Sequence, residues 1–305
     1  MVVATGFFDG VHLGHRQVLD ALVSEAARRG TGSVVVTFWP HPRNVLQNGA
    51  RGLRLLSSPS EKEALIRACG VDKVEVVEFT REFSRLTAEE YLREYVISRF
   101  GAEAIVLGWD NRMGANSKSS DEVAALAQGL GLAVIRTAPR FYSGREISST
   151  RIRAALSEGD IASASAMLGY AYGLSGVVVE GNKIGRSLGF PTANMQMYDP
   201  LKLIPAGGVY LTRVHTLGKD FYGMTNIGTR PTVTGVSEGE ALSDKMRTVE
   251  TNIFDFDEEI YGLDIRVSFL RRIRKECRFN SLEELKRQLS ADKAFCLELL
   301  SKDSF

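Results

Sequence analysis

Short apolar runs alternate with helical patterns through the first half of this chain, up to about residue 157. The runs that predict strands are Met1–Phe7, Ser33–Phe38, Lys73–Phe79, Glu103–Trp109 and Leu132–Thr137. Between the first two, apolar side chains recur at helical spacing from Val18 to Ala26. Strands that alternate with helices predict an α/β fold with a doubly wound, Rossmann-like parallel sheet. Ligands of such sheets bind beyond the carboxyl ends of the strands.

The second half of the chain has a different pattern. After a short connecting helix predicted over Ile161–Leu168, glycines become frequent and β-branched residues dominate. The predicted strands are Leu174–Gly181, Gly207–Thr216, Phe221–Gly228, Thr248–Phe256 and Leu263–Ile273. These runs predict a small antiparallel β-barrel, and an amphipathic helix that begins at Ser281 follows it. We therefore expect two domains, 1–170 and 171–305.

Composition narrows the class of protein. A chain of 305 residues is longer than a single hydrophobic core usually accommodates, which agrees with two domains. The 38 basic and 37 acidic residues nearly cancel, so no charge pattern indicates a nucleic acid or a membrane surface as partner. Three scattered cysteines and the lack of a signal peptide or long apolar stretch predict a cytoplasmic protein. Small molecules are the expected partners.

His12 and His15 stand three residues apart where the first strand meets the first helix. Main-chain N–H groups and the positive end of the helix dipole favour a phosphate there, and imidazoles add hydrogen-bond donors. Phosphoryl and nucleotidyl transfer depend on such donors. His41 after the second strand and Asp110 after the fourth lie at the same predicted edge of the sheet, where the carboxylate could orient a base or ribose.

A second anion site is indicated by the segment Ile147–Arg153, which places hydroxyl groups at a helix start and Arg151 and Arg153 in the first turn. Each of these elements has a structural alternative. A histidine at a strand end is often only hydrogen-bonded, Ser-Ser-Thr often caps a helix, and paired arginines often face water. Zinc binding by His12 and His15 is also conceivable, although no cysteine lies near.

The motifs GFFDGVHLGH, TFWPHP, GWDNRMG and ISSTRIR, in this order, resemble the nucleotidyltransferase module of the prokaryotic bifunctional riboflavin kinase/FMN adenylyltransferases, also called FAD synthetases. The resemblance implies that His12 and His15 stabilise the transition state as FMN attacks the α-phosphorus of ATP and pyrophosphate leaves. It implies a set of residues that bind the ATP phosphates, namely Gly6, Gly14, Ser149, Thr150 and Arg153. His41 and Asp110 are expected at the nucleotide or flavin site.

The barrel half carries a glycine loop with Gly181 and Gly185, followed by Pro191-Thr192-Ala193-Asn194. Glycines allow backbone amides to approach phosphates, although a glycine-rich hairpin is the simpler alternative. The oxygens of Thr192 and Asn194 suit Mg²⁺ that phosphates and water also hold. Glu250 lies inside an otherwise apolar strand, where most glutamates face water, but near a metal ion it could accept a proton from a hydroxyl group.

This part of the chain, over residues 174 to 292, resembles the riboflavin kinase module of the same family through GRSLGFPTAN, NIGTRPT, VET and FDF. The resemblance implies that Thr192 and Asn194 bind Mg²⁺ with the nucleotide, and that Glu250 activates the 5′-hydroxyl of riboflavin. The remaining implied residues are Gly181, Gly185 and Arg186 for phosphate and Asn226 and Arg230 for the flavin or nucleotide.

The chain departs from the family pattern at a few positions. Phe7 replaces a frequent asparagine, and Asn111 and Met113 replace residues that are commonly aromatic or histidine. The acidic insertion Ser237–Asp244 is longer than the pattern predicts. Relatives usually carry several more residues before the first strand, which a trimmed N-terminus would explain.

The sequence thus predicts a flavin cofactor enzyme with two activities. Its C-terminal domain would phosphorylate riboflavin to FMN, and its N-terminal domain would adenylylate FMN to FAD, with ATP as co-substrate and Mg²⁺ as cofactor. Two alternatives stay open: a riboflavin kinase with an impaired adenylyltransferase domain, and a non-catalytic flavin-binding regulator. Product analysis separates the three, and the oligomeric state is left open.

Overall fold

The computed structural model describes residues 1–46, 53–181, 184–229 and 247–302. The chain divides into two compact units, Met1–Arg151 and Ile152–Phe305. The division falls inside a helix, Ser149–Glu158, whereas the sequence placed the domain boundary between residues 170 and 171. That boundary stays a prediction. Within the described ranges, no helix combines the length and the apolar character needed to cross a membrane.

The first unit is built on a five-stranded parallel sheet with the strand order β3-β2-β1-β4-β5. Its strands are β1 (Val2–Thr5), β2 (Ser33–Trp39), β3 (Lys73–Glu78), β4 (Ala104–Leu107) and β5 (Ala133–Arg136). Its helices are α1 (Leu13–Arg29), α2 (Pro42–Leu46), α3 (Pro59–Arg67), α4 (Ala88–Tyr91) and α5 (Ser120–Gly129). A π-helical segment, Leu92–Ser98, continues α4. The predicted doubly wound sheet is confirmed, and all five predicted strands are present.

Alternate residues of each strand enter two separate cores on the two faces of this sheet. Val3 and Ile105 pack with Leu92 of the π-helical segment on one face. Val2 and Ala4 pack with residues of α1 on the other. Because side chains alternate along a strand, continuous apolar strands are what a sheet covered on both faces requires.

Helix starts in this unit follow the sequence signals. Ser58 and Glu61 form a complete capping box at α3, and Thr87 and Glu90 form another at α4. Two short strands that the sequence analysis missed, β6 (Phe141–Tyr142) and β7 (Arg145–Glu146), form an antiparallel hairpin after β5. Such two-residue strands carry too little periodicity to be recognised.

The second unit contains a closed barrel with the strand order β10-β11-β12-β9-β8-β13. Its strands are β8 (Gly173–Val179), β9 (Ala193–Met197), β10 (Gly208–Thr216), β11 (Lys219–Thr229), β12 (Arg247–Ile253) and β13 (Asp264–Arg274). Its helices are α6 (Ser149–Glu158), α7 (Ile161–Leu168), α8 (Ile184–Ser187) and α9 (Leu282–Lys302), of which α6 begins in the first unit. The predicted barrel is confirmed, but β9 was not among the predicted strands.

The barrel interior and exterior are held by different contacts. Thr212, Thr225 and Thr251 are fully buried and joined by hydroxyl hydrogen bonds of 2.9 Å across three adjacent strands. On the outside, Cys296 and Leu299 of α9 pack in one apolar cluster with residues of β10 and β11. The helix therefore covers one outer face of the barrel, next to the strands that carry the predicted kinase residues.

Candidate active sites

A cleft of about 240 Å³ opens at the carboxyl ends of β1, β4 and β5, and we call it the strand-end cleft. Thr5 and Gly6 line it from β1, Gly108 and Asp110 from the turn after β4, and Thr137 from the turn after β5. The strand order reverses between β1 and β4. Doubly wound sheets leave a ligand crevice at such a switch point. Asp110 therefore lies at the predicted edge.

His12 and His15 lie side by side on the wall of this cleft. His12 is the N-cap of α1, and its Nδ1 accepts a hydrogen bond of 3.3 Å from the main-chain N–H of His15. The two rings are stacked with centroids 3.6 Å apart and an interplanar angle of 15°. Since Nδ1 of His12 accepts, the proton of the neutral ring is on Nε2. The pair thus stands at the positive end of a 17-residue helix.

His15 is held uncharged by its surroundings. Burial of the ring lowers the pKa of His15 well below the usual 6.5, and the charges of His12 and Lys62 lower it further. Its Nδ1 is buried, and no group in the described part of the chain bonds to it. Protonation would therefore bury a positive charge and leave an N–H at Nδ1 without an acceptor, both of which are costly.

Two glycines of the predicted phosphate site make room for aromatic rings. A Cβ atom at Gly14 would lie 3.2 Å from Nδ1 and Cε1 of His12. A Cβ atom at Gly6 would lie 3.2 Å from the ring of Phe8, which itself contacts His15 edge-on at a centroid distance of 5.3 Å. Both glycines line the cleft, and any larger residue there would crowd the histidine pair or its support.

The start of α6 supplies only part of the predicted second anion site. Ser149 lines the cleft, and its hydroxyl donates to the carbonyl oxygen of Asp9 at 3.1 Å. Thr150 and Arg153 follow on the same helix but do not line the cleft. The phosphate-binding roles of Ser149, Thr150 and Arg153 stay predictions.

Arg151 has a different use from the anion contact that the sequence indicated. Its guanidinium donates to the carbonyl oxygens of Tyr142 at 3.3 Å and Arg145 at 2.7 Å, and also to that of Glu146. The side chain therefore fixes the β6–β7 hairpin against the start of α6. Of the two arginines, Arg153 is the one that we keep as a candidate for phosphate.

The sequence analysis missed several residues of the strand-end cleft. Trp109, Arg140 and Glu146 all line it, and the indole N–H of Trp109 donates to the carboxylate of Glu146. Trp109 stood inside a recognised motif, but nothing in the sequence pairs it with a hairpin residue 37 positions later. His41, in contrast, does not line the cleft. It contacts the ring of Phe7 edge-on at a centroid distance of 4.0 Å.

In the barrel, Asn194, Glu250 and Asn226 occupy one row across the adjacent strands β9, β12 and β11. The register pairs Glu250 with Asn194 on one side and with Asn226 on the other. Residues directly opposite in antiparallel strands place their side chains on the same face, with Cβ atoms about 5 Å apart. The candidate base therefore stands between two amide side chains, one of which, Asn194, is buried.

Glu250 and Asn226 line a cleft of about 280 Å³ beside α9, which we call the α9 cleft. Most of the other side chains on its walls are apolar, namely Leu188, Phe190, Val209, Met224, Phe279, Leu285 and Leu289. Thr192 and Gly185 reach the same cleft. A mostly apolar space whose walls also carry carboxylates and amides can take an apolar ring system with polar substituents.

Arg274 lines the α9 cleft and was not foreseen. Its guanidinium contacts the carboxylate of Asp292 on α9 at 2.8–3.0 Å, and Asp292 is only 3% exposed. Gln288 donates to the same carboxylate at 2.8 Å. The ion pair joins β13 to α9 across a separation of 18 residues, which no local sequence pattern announces.

A further cleft of about 390 Å³ shares Thr192 with the α9 cleft, and we call it the Arg186 cleft. Arg186 and Thr192 line it together with Ile253, Phe256 and Tyr261. It therefore combines a cationic side chain and a hydroxyl group with apolar and aromatic walls, and the acidic residues Asp257, Glu258 and Glu259 line it as well. Thr192 is the residue that both clefts have in common.

Gly181 and Gly185 are needed for close approach between parts of the protein. A Cβ atom at Gly181 would overlap the amide group of Asn194, and one at Gly185 would overlap the carbonyl oxygen of Phe190. The sequence attributed these glycines to phosphate binding, which stays a prediction. Arg230 and the insertion Ser237–Asp244 lie outside the described residues.

The described residues of the three clefts do not form a metal site made of protein ligands alone. Among the described residues, no three His, Cys, Asp or Glu side chains group together as metal ligands would. The zinc alternative for His12 and His15 therefore has no support from a third ligand in that part of the chain.

Comparisons with known proteins match both halves of the chain. A family model for FAD synthetase matches residues 1–151, and one for riboflavin kinase matches residues 168–300. Three relatives carry the name bifunctional riboflavin kinase/FMN adenylyltransferase. The protein from Bacillus subtilis strain 168 is 32% identical over 98% of this chain and 92% of its own. That from Listeria monocytogenes is 36% identical over 95% and 90%, and that from Escherichia coli K12 is 35% identical over 100% and 92%.

A solved structure also resembles the chain along nearly its whole length. It is described as a macrolide-efflux protein from Streptococcus pneumoniae, has a TM-score of 0.88 and 32% sequence identity, and the match covers 99% of this chain and 94% of that one. Both halves of the chain therefore resemble this solved structure in backbone fold as well as in sequence.

Proposed function

The chain belongs to the bifunctional riboflavin kinase/FMN adenylyltransferase family, and from that premise we propose that each of its two reactions takes place in one of the clefts described above. The protein phosphorylates riboflavin to FMN and transfers the adenylyl group of ATP to FMN, which yields FAD and pyrophosphate. We assign adenylyl transfer to the strand-end cleft and phosphorylation to the barrel.

The assignment of adenylyl transfer depends on the stacked pair of His12 and His15 at the N-terminus of α1. An oxygen of the FMN phosphate attacks the α-phosphorus, and the bond from that phosphorus to the pyrophosphate breaks. Negative charge spreads over the phosphoryl oxygens in the transition state. His12, with Nε2–H as donor, the uncharged imidazole of His15 beside it on the cleft wall, and the helix N-terminus would together stabilise that charge.

For phosphorylation, Glu250 is the proposed base. Its carboxylate would accept the proton of the riboflavin 5′-hydroxyl while the oxygen of that hydroxyl forms a bond to the γ-phosphorus and ADP leaves. Asn194 and Asn226 flank Glu250 in the barrel row. Their amide groups can orient the carboxylate or the hydroxylated chain of riboflavin.

The walls of the two barrel clefts support a division between the substrates. We assign the isoalloxazine ring to the α9 cleft, because its walls are apolar and Glu250 lies at one side. We assign the nucleotide to the Arg186 cleft, where Arg186 can pair with phosphate and Phe256 and Tyr261 can pack on the base. Thr192, which lines both clefts, would then lie where the γ-phosphate meets riboflavin.

Both reactions use ATP, and kinases of this type generally need a divalent metal ion. We propose Mg²⁺ with Thr192 and Asn194 as its protein ligands. The donor set fits, because a hydroxyl and an amide are neutral oxygen ligands and the substrate phosphates supply the negative charge. The overlap that any Cβ at Gly181 would cause with Asn194 shows that space around this amide is restricted. When bound, the ion would offset charge on the phosphoryl oxygens.

The proposal places the protein in the cytoplasm, where ATP is present. Cys69, Cys277 and Cys296 are all unpaired in the structure, which agrees with a reducing compartment.

Crossed substitutions test the assignment. We expect His12→Ala to lower FAD formation from FMN and ATP by about 10²-fold or more, and to leave FMN formation from riboflavin unchanged. Glu250→Gln should do the reverse, with a loss of about 10²–10⁴-fold in FMN formation. Each reaction is started separately, from riboflavin and ATP or from FMN and ATP, and chromatographic separation of riboflavin, FMN and FAD measures its rate. Loss of both activities in either variant would contradict the division between the clefts.

A further inference from the structure

Lys62 of α3 is a buried lysine beneath the strand ends, only 3% exposed. Its ammonium donates to the carbonyl oxygen of Phe7 at 3.2 Å, to the hydroxyl of Thr37 at 2.9 Å and to the carbonyl oxygen of Phe38 at 3.3 Å. An ammonium group has three N–H donors, so each one has an acceptor. These acceptors belong to the ends of β1 and β2 and the residues that follow β1.

The ring of Phe7 adds a further contact, because the ammonium nitrogen of Lys62 lies 4.1 Å from the ring centroid. Burial lowers the pKa of Lys62 to about 8, and the negative charge of Asp9 opposes this shift. Lysine is almost never buried to this extent unless it is paired. Burial of the ammonium group costs desolvation energy, so the role of Lys62 must come from the residues that it contacts.

The residues that follow Phe7, which Lys62 contacts, have a strained backbone. Between Phe7 and His12, the φ angles of Phe8, Gly10 and Val11 are 53°, 76° and 37°. Positive φ is uncommon outside glycine and an outlier for a β-branched residue such as Val11. Strain of this kind persists only where the surroundings impose it. The strained residues lead directly into the N-cap of α1, His12.

Asp9 fastens the same segment from the other direction. Its carboxylate accepts hydrogen bonds from the main-chain N–H of Leu56 at 2.9 Å and of Ser57 at 3.1 Å, just before α3. Lys62 then joins the body of α3 to the strand ends. Asp9 thus ties the segment 8–11 to the residues just before α3, and Lys62 ties α3 to Phe7, the residue that immediately precedes the segment.

We propose that Lys62 is a positioning residue for adenylyl transfer: its buried ammonium, together with Asp9, holds the strained segment 8–11 so that His12 and His15 meet the nucleotide phosphates. The inference rests on the proposed assignment of this reaction to the strand-end cleft. Lys62 does not line that cleft, and it acts through Phe7 and the loop.

The charge of Lys62 provides a readout that a purely structural residue would not affect. His12 and Lys62 both lower the pKa of His15, after the larger effect of burial. The other charged residues of the cleft, Asp110, Arg140 and Glu146, stay in place when Lys62 is replaced. Removal of the ammonium charge should therefore raise the pKa of His15 and move the acidic limb of adenylyl transfer to higher pH.

The test compares Lys62→Met with a matched control, Lys73→Met. Lys73 is an exposed lysine of β3 whose ammonium lies 3.3 Å from the carboxylate of Glu75. FAD formation from FMN and ATP is measured between about pH 5.5 and 8.5, which brackets the ordinary titration of histidine. Both tryptophans of the chain, Trp39 and Trp109, lie in the first unit, so tryptophan fluorescence in a urea titration reports whether that unit is folded. FMN formation from riboflavin, in the same preparation, reports the barrel.

We expect Lys62→Met to lower kcat for FAD formation at least about tenfold with little change in KM for ATP, because the lost hydrogen bonds involve a charged group. Its acidic limb should move to higher pH, and FMN formation should stay at the parental rate. Lys73→Met should leave both reactions unchanged. Parental FAD formation in Lys62→Met, or an acidic limb that coincides with the parental one, would overturn the proposal.

A second variant covers the case in which the first unit of Lys62→Met does not fold, which the fluorescence of Trp39 and Trp109 would reveal. Thr37→Val removes one acceptor of the ammonium and keeps its charge, so kcat should fall about two- to fivefold with the acidic limb unmoved. An unchanged kcat in Thr37→Val would then overturn the proposal. A parent protein that makes no FAD from FMN would instead contradict the proposed function.

Discussion

The strand-end cleft and the barrel row reach phosphate chemistry by different routes. In the first unit, His12 and His15 come from one turn of chain, and one accepts a hydrogen bond from the other's backbone. In the barrel, Asn194, Glu250 and Asn226 come from three strands, and only the register of β9, β12 and β11 makes them neighbours. The positions of His12 and His15 therefore depend on the contacts that hold one loop. The positions of Asn194, Glu250 and Asn226 depend on strand pairing.

The two regions also differ in how they treat charge. The strand-end cleft relies on uncharged imidazole and the positive end of a helix. The barrel places a carboxylate between amides and secures the adjoining helix with a buried ion pair, Arg274–Asp292. A cleft that only stabilises charge on phosphate needs donors, whereas a cleft that must remove a proton from a hydroxyl needs a base.

Breaking the ion pair should have the largest effect. Asp292→Asn leaves the guanidinium of Arg274 without its buried partner, so we expect a loss of about 3 kcal/mol in the stability of the barrel. In a urea titration, FMN formation should fail at a lower concentration in the variant, while FAD formation keeps its parental midpoint. Glu298→Gln on the same helix is the control, because its exposed partner Lys302 should contribute less than about 1 kcal/mol. Equal midpoints for Asp292→Asn and Glu298→Gln would contradict the importance of this pair.

A glycine substitution sharpens the comparison at the row itself. Gly181→Ala would place a Cβ atom on the amide of Asn194, the neighbour of Glu250 in the row, and that amide must move. We expect FMN formation to fall by about ten- to a hundredfold, because small displacements of catalytic groups are costly, and FAD formation to stay unchanged. Gly129→Ala serves as the control, since that position in α5 has open space around it. A fully active Gly181→Ala variant would show that Asn194 has no tightly defined position.

The smallest effect concerns the pH dependence of stability in the first unit. The pKa of His15 is lowered in the folded protein, so below about pH 6.5 the unfolded chain binds a proton that the folded chain does not. Stability should therefore fall as the pH decreases from 6.5, by at most about 1.4 kcal/mol per pH unit from this one residue. His15→Gln should show a shallower fall in the thermal midpoint at which FAD formation is lost. Identical slopes for the parent and the variant would contradict this expectation, and FMN formation provides the comparison within the same molecule.

The success of the sequence predictions follows the same division. His12 and His15 were placed correctly because a strand, a turn and a helix start follow one another along the chain. Glu250 was identified as a candidate base, yet its pairing with Asn194 was not, because β9 was not among the predicted strands. Arg274 and Asp292 escaped notice altogether, since β13 and α9 look like ordinary exposed elements until they pack together. His41 shows the opposite case, because its position at a strand end is correct and yet it contacts Phe7 outside the cleft lining.

By itself, the sequence determined the class of each unit, the order of its principal strands and helices and the chemical nature of both reactions, because apolar periodicity, capping residues and compact motifs are local properties. The tertiary structure decided which side chains face one another: the row around Glu250, the clamp of Lys62 on the strand ends and the pairing of Arg274 with Asp292. These contacts join residues far apart in the chain, and their energies depend on burial and register, which exist only after the chain has packed.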